Sequence, residues 1–301
     1  MKFSIILPTY NRADTYLKDA IDSVVNQSYI NWELLIIDNH STDNTDELIG
    51  SYKDDRIKLY KIRNNGNIAK SRNLGISKAD GSYIALIDSD DFWHRDKLKL
   101  VSEYLSIYPN DGLCHSEYWL NEDGTSTDRR YGSSGFSYNS LLINGNCLSL
   151  SAVVIHSKII KELDGFSENI DFITAEDYDL WLKLANYGYK IRFIDELLGT
   201  YRVHQSSESS NVSKNIKAIS SVIEDHCKKN KFKVRKKNKY LANAYHIAGK
   251  TLQLNNNKFS SLNYYLNSIK HYPMQLKSYI FIITLLIPHK LLIIMNSKIN
   301  Y

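Results

Sequence analysis

Cysteine, proline and glycine are all scarce in this chain of 301 residues: three Cys, four Pro and 13 Gly. The three cysteines, Cys114, Cys147 and Cys227, are odd in number, far apart and outside any CxxC pair. That argues against a disulfide framework and a cysteine-based zinc site, and it fits a reducing compartment. So little Gly and Pro excludes collagen-like and loop-dominated folds. Two glycine signatures are missing as well. No GxGxxG follows a strand pattern and no GxxxxGK[ST] occurs, which counts against dinucleotide dehydrogenases and P-loop enzymes. No apolar stretch before residue 279 approaches membrane-spanning length. The opening MKFSIIL is cut short by Pro8, Asn11 and Arg12 with no small-residue cleavage site, so it reads as a buried first strand rather than a signal peptide.

The composition that is present, 43% hydrophobic and 24% charged, is that of a soluble globular protein. The net charge of +5 hides a division. Residues 1–204 hold 22 Lys and Arg against 30 Asp and Glu, a balance of −8; residues 205–301 hold 16 against three, a balance of +13. An acidic part suits a cation and a basic part an anionic surface, so the two read as parts with different partners.

The first ninety residues alternate apolar β-like runs with amphipathic stretches. Strands are expected at Phe3–Leu7, Glu33–Asp38, Ile57–Lys61 and Tyr83–Ile87, and helices at Asp14–Gln27, Thr42–Tyr52 and Ile68–Ala79. This is an α/β pattern with a mostly parallel, Rossmann-like sheet and helices on both faces. In such sheets ligands bind at the carboxyl ends of the strands. Those ends are Pro8–Arg12, Asp38–Asp43, Arg63–Arg72 and Asp88–Asp91. The middle region changes character. A strand is expected at Asp111–Leu120, a polar hairpin tip at Asn121–Arg130, a long β-branched run at Cys147–His156, a helix at Ala175–Tyr187, and short strands at Lys190–Ile194 and Leu198–Val203. Gln205–Lys214 reads as a loop. Tyr240–Gln253 and Phe259–His271, joined by three asparagines, read as a helical hairpin resembling one tetratricopeptide-like unit. Ile280–Met295 is strongly apolar, broken by Pro288, His289 and Lys290.

Asp88, Asp90 and Asp91 sit where the fourth strand leaves the sheet. Carboxylates so clustered repel one another unless a cation or donors neutralise them. Oxygen ligands suit Mg²⁺ or Mn²⁺, which bind through one or two carboxylates and substrate phosphates. A polar turn capping the next helix is the plainer alternative. With the basic set Arg63, Lys70 and Arg72 at another strand end, a nucleoside diphosphate held through a metal fits both features.

Five segments occur in one order: SIILPTYNR (Ser4–Arg12), ELLIIDNHSTDNT (Glu33–Thr45), NNGNIAKSRNLGI (Asn64–Ile76), DGSYIALIDSDDFW (Asp80–Trp93) and AEDYDLWLKL (Ala175–Leu184). Together they resemble the family-2 glycosyltransferases of GT-A fold over about residues 1–204. The resemblance implies an inverting transfer of a sugar from a nucleotide diphosphate donor, usually UDP-linked, to a glycan or lipid-linked acceptor of the bacterial cell surface, with Mg²⁺ or Mn²⁺. It implies that residues 1–92 bind the nucleotide sugar and residues 93–204 the acceptor; residues 205–301, outside the resemblance, read from composition and spacing as a basic helical C-terminal region. Pro8, Thr9, Tyr10 and Arg12 would line the nucleotide, Asp38 and Asn39 would face the base, and Arg72 would contact the nucleotide. Asp88 and Asp90 would be the DxD, Asp90 as metal ligand and Asp88 nearer the ribose. Asp177 would be the catalytic base, with Glu176 as the alternative. The family often has glycine where this chain has His40, and aspartate where it has Asn39; an Asn still both donates and accepts, so uridine stays compatible and thymidine- or GDP-linked donors stay open.

An inverting displacement needs a carboxylate to take the acceptor's hydroxyl proton. Asp177 at a helix start is favoured in its ionised form, though Thr174–Asp177 also fits a capping box. Tyr201-Arg202-Val203-His204 resembles a YRxH segment that often closes the catalytic domain. Arg202 would balance diphosphate charge, and His204 would ligate the metal or touch phosphate. Trp93 and Trp181 read as core aromatics. The eight basic residues of Lys228–Lys239 suit an anionic membrane surface; without a recognised module or stacking aromatics beyond Phe232 they do not suit nucleic acid. A solvated helix face is the plainer alternative for the basic run, and the apolar tail fits an interfacial anchor or a buried packing helix; together they predict peripheral association with the inner membrane face. A sugar-nucleotide nucleotidyltransferase is disfavoured by the lack of glycine in PTYNRAD, and a non-catalytic binding module by the intact acidic sets.

Overall fold

The computed structural model describes residues 1–132, 135–204, 207–288 and 292. The first ninety residues form β1 (Phe3–Thr9), α1 (Leu17–Val25), β2 (Trp32–Asp38), α2 (Thr45–Ser51), β3 (Ile57–Lys61), α3 (Ile68–Lys78) and β4 (Tyr83–Leu86). There follow β5 (Phe92–Trp93), α4 (Lys97–Ile107), β6 (Gly112–Asn121), β7 (Ser126–Arg129), α5 (Tyr138–Asn144), β8 (Val153–His156), α6 (Ser157–Glu162), α7 (Glu176–Asn186) and β9 (Ile191–Val203). The chain continues as α8 (Val212–Lys229), α9 (Val234–Leu254), α10 (Lys258–His271) and α11 (Leu276–Thr284).

Among the described residues nine strands make one sheet, in the order β3-β2-β1-β4-β8-β6-β9-β5, with β7 paired to β6. The four N-terminal strands pair in parallel, as do β6 and β9, while β8, β5 and β7 join antiparallel. Every residue of β1 and β2 is buried, the pattern of strands covered on both faces. The covering is legible in β1. Phe3, Ile5 and Leu7 share one cluster with Leu17, Ile21 and Val24 of α1 and with Leu98, Val101 and Leu105 of α4. Ile6 points the other way, to α3, where a Cβ on Gly75 would come within 2.6 Å of it.

Several expected elements differ in extent. Asp14–Tyr16 is a turn, with the amides of Thr15, Tyr16 and Leu17 gathered onto the Arg12 carbonyl, so α1 begins at Leu17. Asp43 spends its carboxylate on Ala13 N and Thr45, and α2 starts after it. Most of Cys147–His156 is not strand: a single 3₁₀ turn at Leu150–Ala152 precedes the four residues of β8. Lys190–Ile194 and Leu198–Val203 are one strand, β9, whose irregular register opposite His115–Glu117 absorbs the polar residues between. The helix α4 fills a stretch for which no element was expected. Val212–Lys214, expected as loop, already belongs to α8, capped by Asn211 Oδ1; residues 205 and 206 lie outside the described residues, as do 289–291 and 293–301 of the apolar tail.

The chain divides into two compact units, Met1–Tyr138 with Asn146–Ser207, and Asn139–Gly145 with the chain from Glu208. The second is helical. Its α9 and α10 form the expected hairpin around Asn255–Asn257. The hairpin closes tightly: Gly249 faces the ring of the fully buried Tyr265, whose hydroxyl donates to Gln253 Oε1 (2.7 Å).

Candidate active site

The strand order puts the ends of β1, β2 and β4 side by side, with Thr9 opposite Asp38. At the first end, Pro8 and Thr9 are buried, Tyr10 is exposed, and the Thr9 hydroxyl has no hydrogen-bond partner among the described residues. Asn11 is left-handed (φ 50°) and its side chain accepts from Thr42 N, pinning this loop to the next.

At the second end, Asp38 is fully buried and its carboxylate accepts from Ser41 N and Ser41 Oγ. These bonds hold the turn. Asn39 accepts from Asn64 N (2.9 Å) through Oδ1, which leaves its amide NH₂ as the group with spare capacity. His40 adopts φ 56°. This is the left-handed region that glycine enters freely, which accounts for the glycine common in the family at this place.

The third end carries the acids. Asp88 Oδ1 accepts from Arg72 Nη2 at 2.9 Å. Asp90 Oδ2 lies 3.0 Å from His204 Nε2, and Asp90 O accepts from Arg202 Nη1 (3.2 Å). Asp91 is enclosed: Oδ1 accepts from Arg202 N and Oδ2 from Ser151 Oγ. It does not cap the next helix, whose N-cap is Asp96; it fastens β9 to the acidic turn and so sets His204 beside Asp90. Burial raises the Asp88 carboxyl above its ordinary value, Arg72 opposes this, and Asp90 adds to it; burial and Asp90 raise Asp91 further. The Arg202 guanidinium reaches Asp19 Oδ2 (2.5 Å) between the rings of Tyr16 and Phe92, and Arg12 shares the Tyr16 ring. Arg202, Arg12 and His204 therefore gather around Tyr16, which also meets the His204 ring at 5.2 Å.

Glu176 and Asp177 open α7 and have different surroundings. Glu176 is buried and both oxygens are occupied, Oε1 by Arg72 Nη1 (2.5 Å) and Oε2 by Thr174 N (2.9 Å). Asp177 is only partly buried; Oδ2 accepts from Asn146 Nδ2 (2.9 Å) and Oδ1 from Tyr178 N. Burial, then the charge of Glu176, pushes the Asp177 carboxyl up to about 7, against the pull of Arg72. The capping box that was the alternative reading of Thr174–Asp177 does not form: the buried Thr174 hydroxyl has no hydrogen-bond partner among the described residues. Thr174 instead holds φ 85°, a costly conformation for a β-branched residue, directly before the two acids.

Asp88 and Asp90 present oxygen donors of the kind a divalent cation takes. Asp88 and Asp90 are like charges, both partly exposed, and Asp90 adjoins an imidazole. Among the described residues no group of three or more His, Cys, Asp or Glu side chains is placed to hold a metal ion.

Sequence reasoning missed Ser151, Asn146, Lys97 and Glu117. Ser151 is the node beneath the acidic turn. Its hydroxyl donates to Asp91 and accepts from Asp88 N, and its carbonyl accepts from Trp93 Nε1 (2.8 Å) and Lys97 Nζ (3.0 Å). Lys97 is completely buried with its ammonium 3.2 Å from the Trp93 ring centroid, and burial lowers its pKa strongly. Glu117, also buried, accepts from Tyr131 Oη and is pushed up to about 7. No local signal marks these residues; only packing does. Trp93 and Trp181 are core residues, as expected.

A parallel sheet that turns antiparallel after the acidic strand end, with a paired acid at a later helix start, agrees with the GT-A fold that the ordered motifs imply. Solved structures agree on the fold: S. aureus TarS 1–349 in complex with UDP-GlcNAc has TM-score 0.67 at 18% identity over 90% of this chain and 81% of that one. The glycosyl transferase family 2 model matches residues 4–161, and the chain belongs to that family. The glycosyl transferase family group 2 model matches residues 83–297. Among relatives, the putative teichuronic acid biosynthesis glycosyltransferase TuaG of Bacillus subtilis is 32% identical over 69% of this chain and 81% of its own length. The Escherichia coli UDP-Glc:alpha-D-GlcNAc-diphosphoundecaprenol beta-1,3-glucosyltransferase WfgD is 32% identical over 74% and 85%.

Proposed function

We propose that this glycosyltransferase moves a sugar, with inversion, from a uridine diphosphate donor to a glycan or lipid-linked acceptor in cell-surface polysaccharide synthesis. The functions that TuaG and WfgD are named for and the UDP-GlcNAc bound to TarS support the donor and acceptor classes. The observation that carries the reading is the division of labour at α7: Arg72 takes up Glu176, and Asp177 is left partly exposed with a raised pKa.

In this reading Asp177 is the base. The acceptor hydroxyl oxygen bonds to the anomeric carbon, the bond from that carbon to the diphosphate oxygen breaks, the hydroxyl proton passes to Asp177, and the nucleoside diphosphate leaves. Asn146 and the Tyr178 amide hold the carboxylate in place. Pro8, Thr9 and Tyr10 line the nucleotide, with the free Thr9 hydroxyl available to it. The spare Asn39 amide donates to a base carbonyl, which uracil and thymine both offer. Arg202 and Arg12 face the diphosphate. A Mg²⁺ or Mn²⁺ held by Asp90, Asp88 and His204 would offset diphosphate charge when bound.

A thermal-shift panel of UDP-, GDP- and dTDP-sugars with and without Mn²⁺ tests the donor, since a ligand of the native state raises Tm. UDP-sugars with Mn²⁺ are expected to give the largest rise, together with slow release of UDP without acceptor. A larger rise with GDP- or dTDP-sugars would overturn the uridine assignment. Binding without any UDP release, with or without acceptor, would favour a non-catalytic module.

A further inference from the structure

The last described helix of the second unit is polar where it meets its neighbours and apolar where it meets solvent. Gln275 Nε2 donates to Asn243 Oδ1 (2.5 Å), Ser278 Oγ donates to Ser268 Oγ (2.9 Å) and lies 3.1 Å from His246 Nδ1, and Gln253 Nε2 donates to Thr284 Oγ1 (3.0 Å). Phe281 turns to the same side, edge-on to His246. On the outer side Leu276, Tyr279, Ile280 and Ile283 follow at helical spacing, with Leu286 in the turn beyond, and they are 43–86% exposed. A surface helix in water shows the reverse pattern. Phe259 (86%), in the first turn of α10, and Met274 (66%), two residues before α11, are exposed apolar side chains of the same unit.

We propose that this stripe of α11 is seated in the interfacial layer of an anionic lipid bilayer, with exposed lysines beside it on the headgroups. Charge complementarity selects this occupant. The contacts 243–275, 246–278 and 253–284 show that α11 runs alongside α9 in the same direction. Stepping back from Asn243 by four and by seven residues along that row of α9 reaches Lys239 and Lys236, both exposed. They lie within about 10 Å along the helix axis at 1.5 Å per residue. Lys277 is exposed on α11 itself, and Lys258, at its far end, donates to Leu285 O and Ile287 O. Cations thus flank the stripe along its length, in a segment carrying +13. The geometry is that of an interfacial helix with basic neighbours. Among the described residues no helix is long and apolar enough to cross a membrane. A second copy of the chain fits less well, because one nine-residue helix face falls far short of the roughly 800 Å² per partner of a stable interface, and pairing would juxtapose two basic segments.

The test is co-sedimentation of the full chain with vesicles of phosphatidylcholine and phosphatidylglycerol at three to one, and of phosphatidylcholine alone, at low and high salt. The chain should sediment with the anionic vesicles at low salt. The double variant Ile280→Asp, Ile283→Asp, on exposed positions, should lose at least tenfold in partitioning. The variant Lys236→Glu, Lys239→Glu should lose the salt-sensitive part. Acceptor-independent release of UDP should be unchanged in both variants. Wild-type protein left in the supernatant, equal binding by the Ile variant, or dimerisation through the stripe in light scattering would each overturn the proposal. Because donor turnover is read on the same samples, failure of the surface is distinguished from failure of the proposed chemistry.

Discussion

Adjacent carboxylates at the start of α7 behave differently because one is neutralised and the other is not. Glu176 is held by Arg72; Asp177 is raised from its ordinary 3.8 to about 7, first by burial and then by Glu176. Two consequences follow for the variant Asp177→Asn. Loss of a general base should lower kcat by about 10²–10⁴-fold, measured as UDP release with acceptor; near-normal turnover would exclude Asp177. Its effect on stability should have the opposite sign. A carboxyl with a raised native pKa holds its proton longer in the folded than in the unfolded chain, so its contribution to stability declines as pH rises from about 4 to 7. Removing the charge should leave Tm at pH 8 unchanged or higher. For the wild type, kcat/KM should climb as pH passes about 7 and level off above it, because only the ionised base accepts a proton. Ser151→Ala supplies a second prediction at this scale. It leaves the buried Asp91 Oδ2 without its donor, a cost of about 1–3 kcal/mol. A lower Tm and a higher Mn²⁺ concentration for half-maximal activity are expected; an unchanged Mn²⁺ requirement would reduce Ser151 to packing.

Elements with strong periodicity were legible: β1 to β4, α1, α3, α7 and the α9–α10 hairpin lie where alternation and helical spacing place them. Elements shaped by long-range contact were not. Cys147–His156 is rich in strand formers, yet Leu150–Ala152 turns so that Ser151 meets Asp88 and Asp91. Tertiary hydrogen bonding there outweighs β propensity. β9 runs through Asp195 and Glu196 because pairing with β6 tolerates an irregular register. The hairpin offers an element-scale test. A Cβ on Gly249 would fall 2.6 Å from the Tyr265 ring, which is anchored by Gln253. Ala is the better helix former by up to ~1 kcal/mol, but overpacking costs about 1–3 kcal/mol. Gly249→Ala should therefore lower Tm, whereas a rise would show that Tyr265 yields.

Across the whole molecule the decisive link is Arg72. It leaves α3 and clamps Asp88, just past β4, to Glu176, which lies 104 residues beyond Arg72 itself. Arg72→Gln strands two carboxylates at once. Breaking a buried pair in this way costs about 3–5 kcal/mol, a Tm drop on the order of 10 °C, measurable by calorimetry; a loss of activity with Tm intact would assign Arg72 to the nucleotide alone. The charge division between residues 1–204 and 205–301, the parallel opening of the sheet, and the nomination of Asp88, Asp90, Glu176 and Asp177 came from sequence by itself, because periodicity, composition and ordered motifs are local properties. Which of the two acids is neutralised, that Asp91 ties strands together, that Asp38 holds a turn, and that α11 points its apolar side outward were decided by tertiary structure. The reason is that charge, burial and exposure depend on neighbours that are distant in the chain, and no local pattern records who those neighbours are.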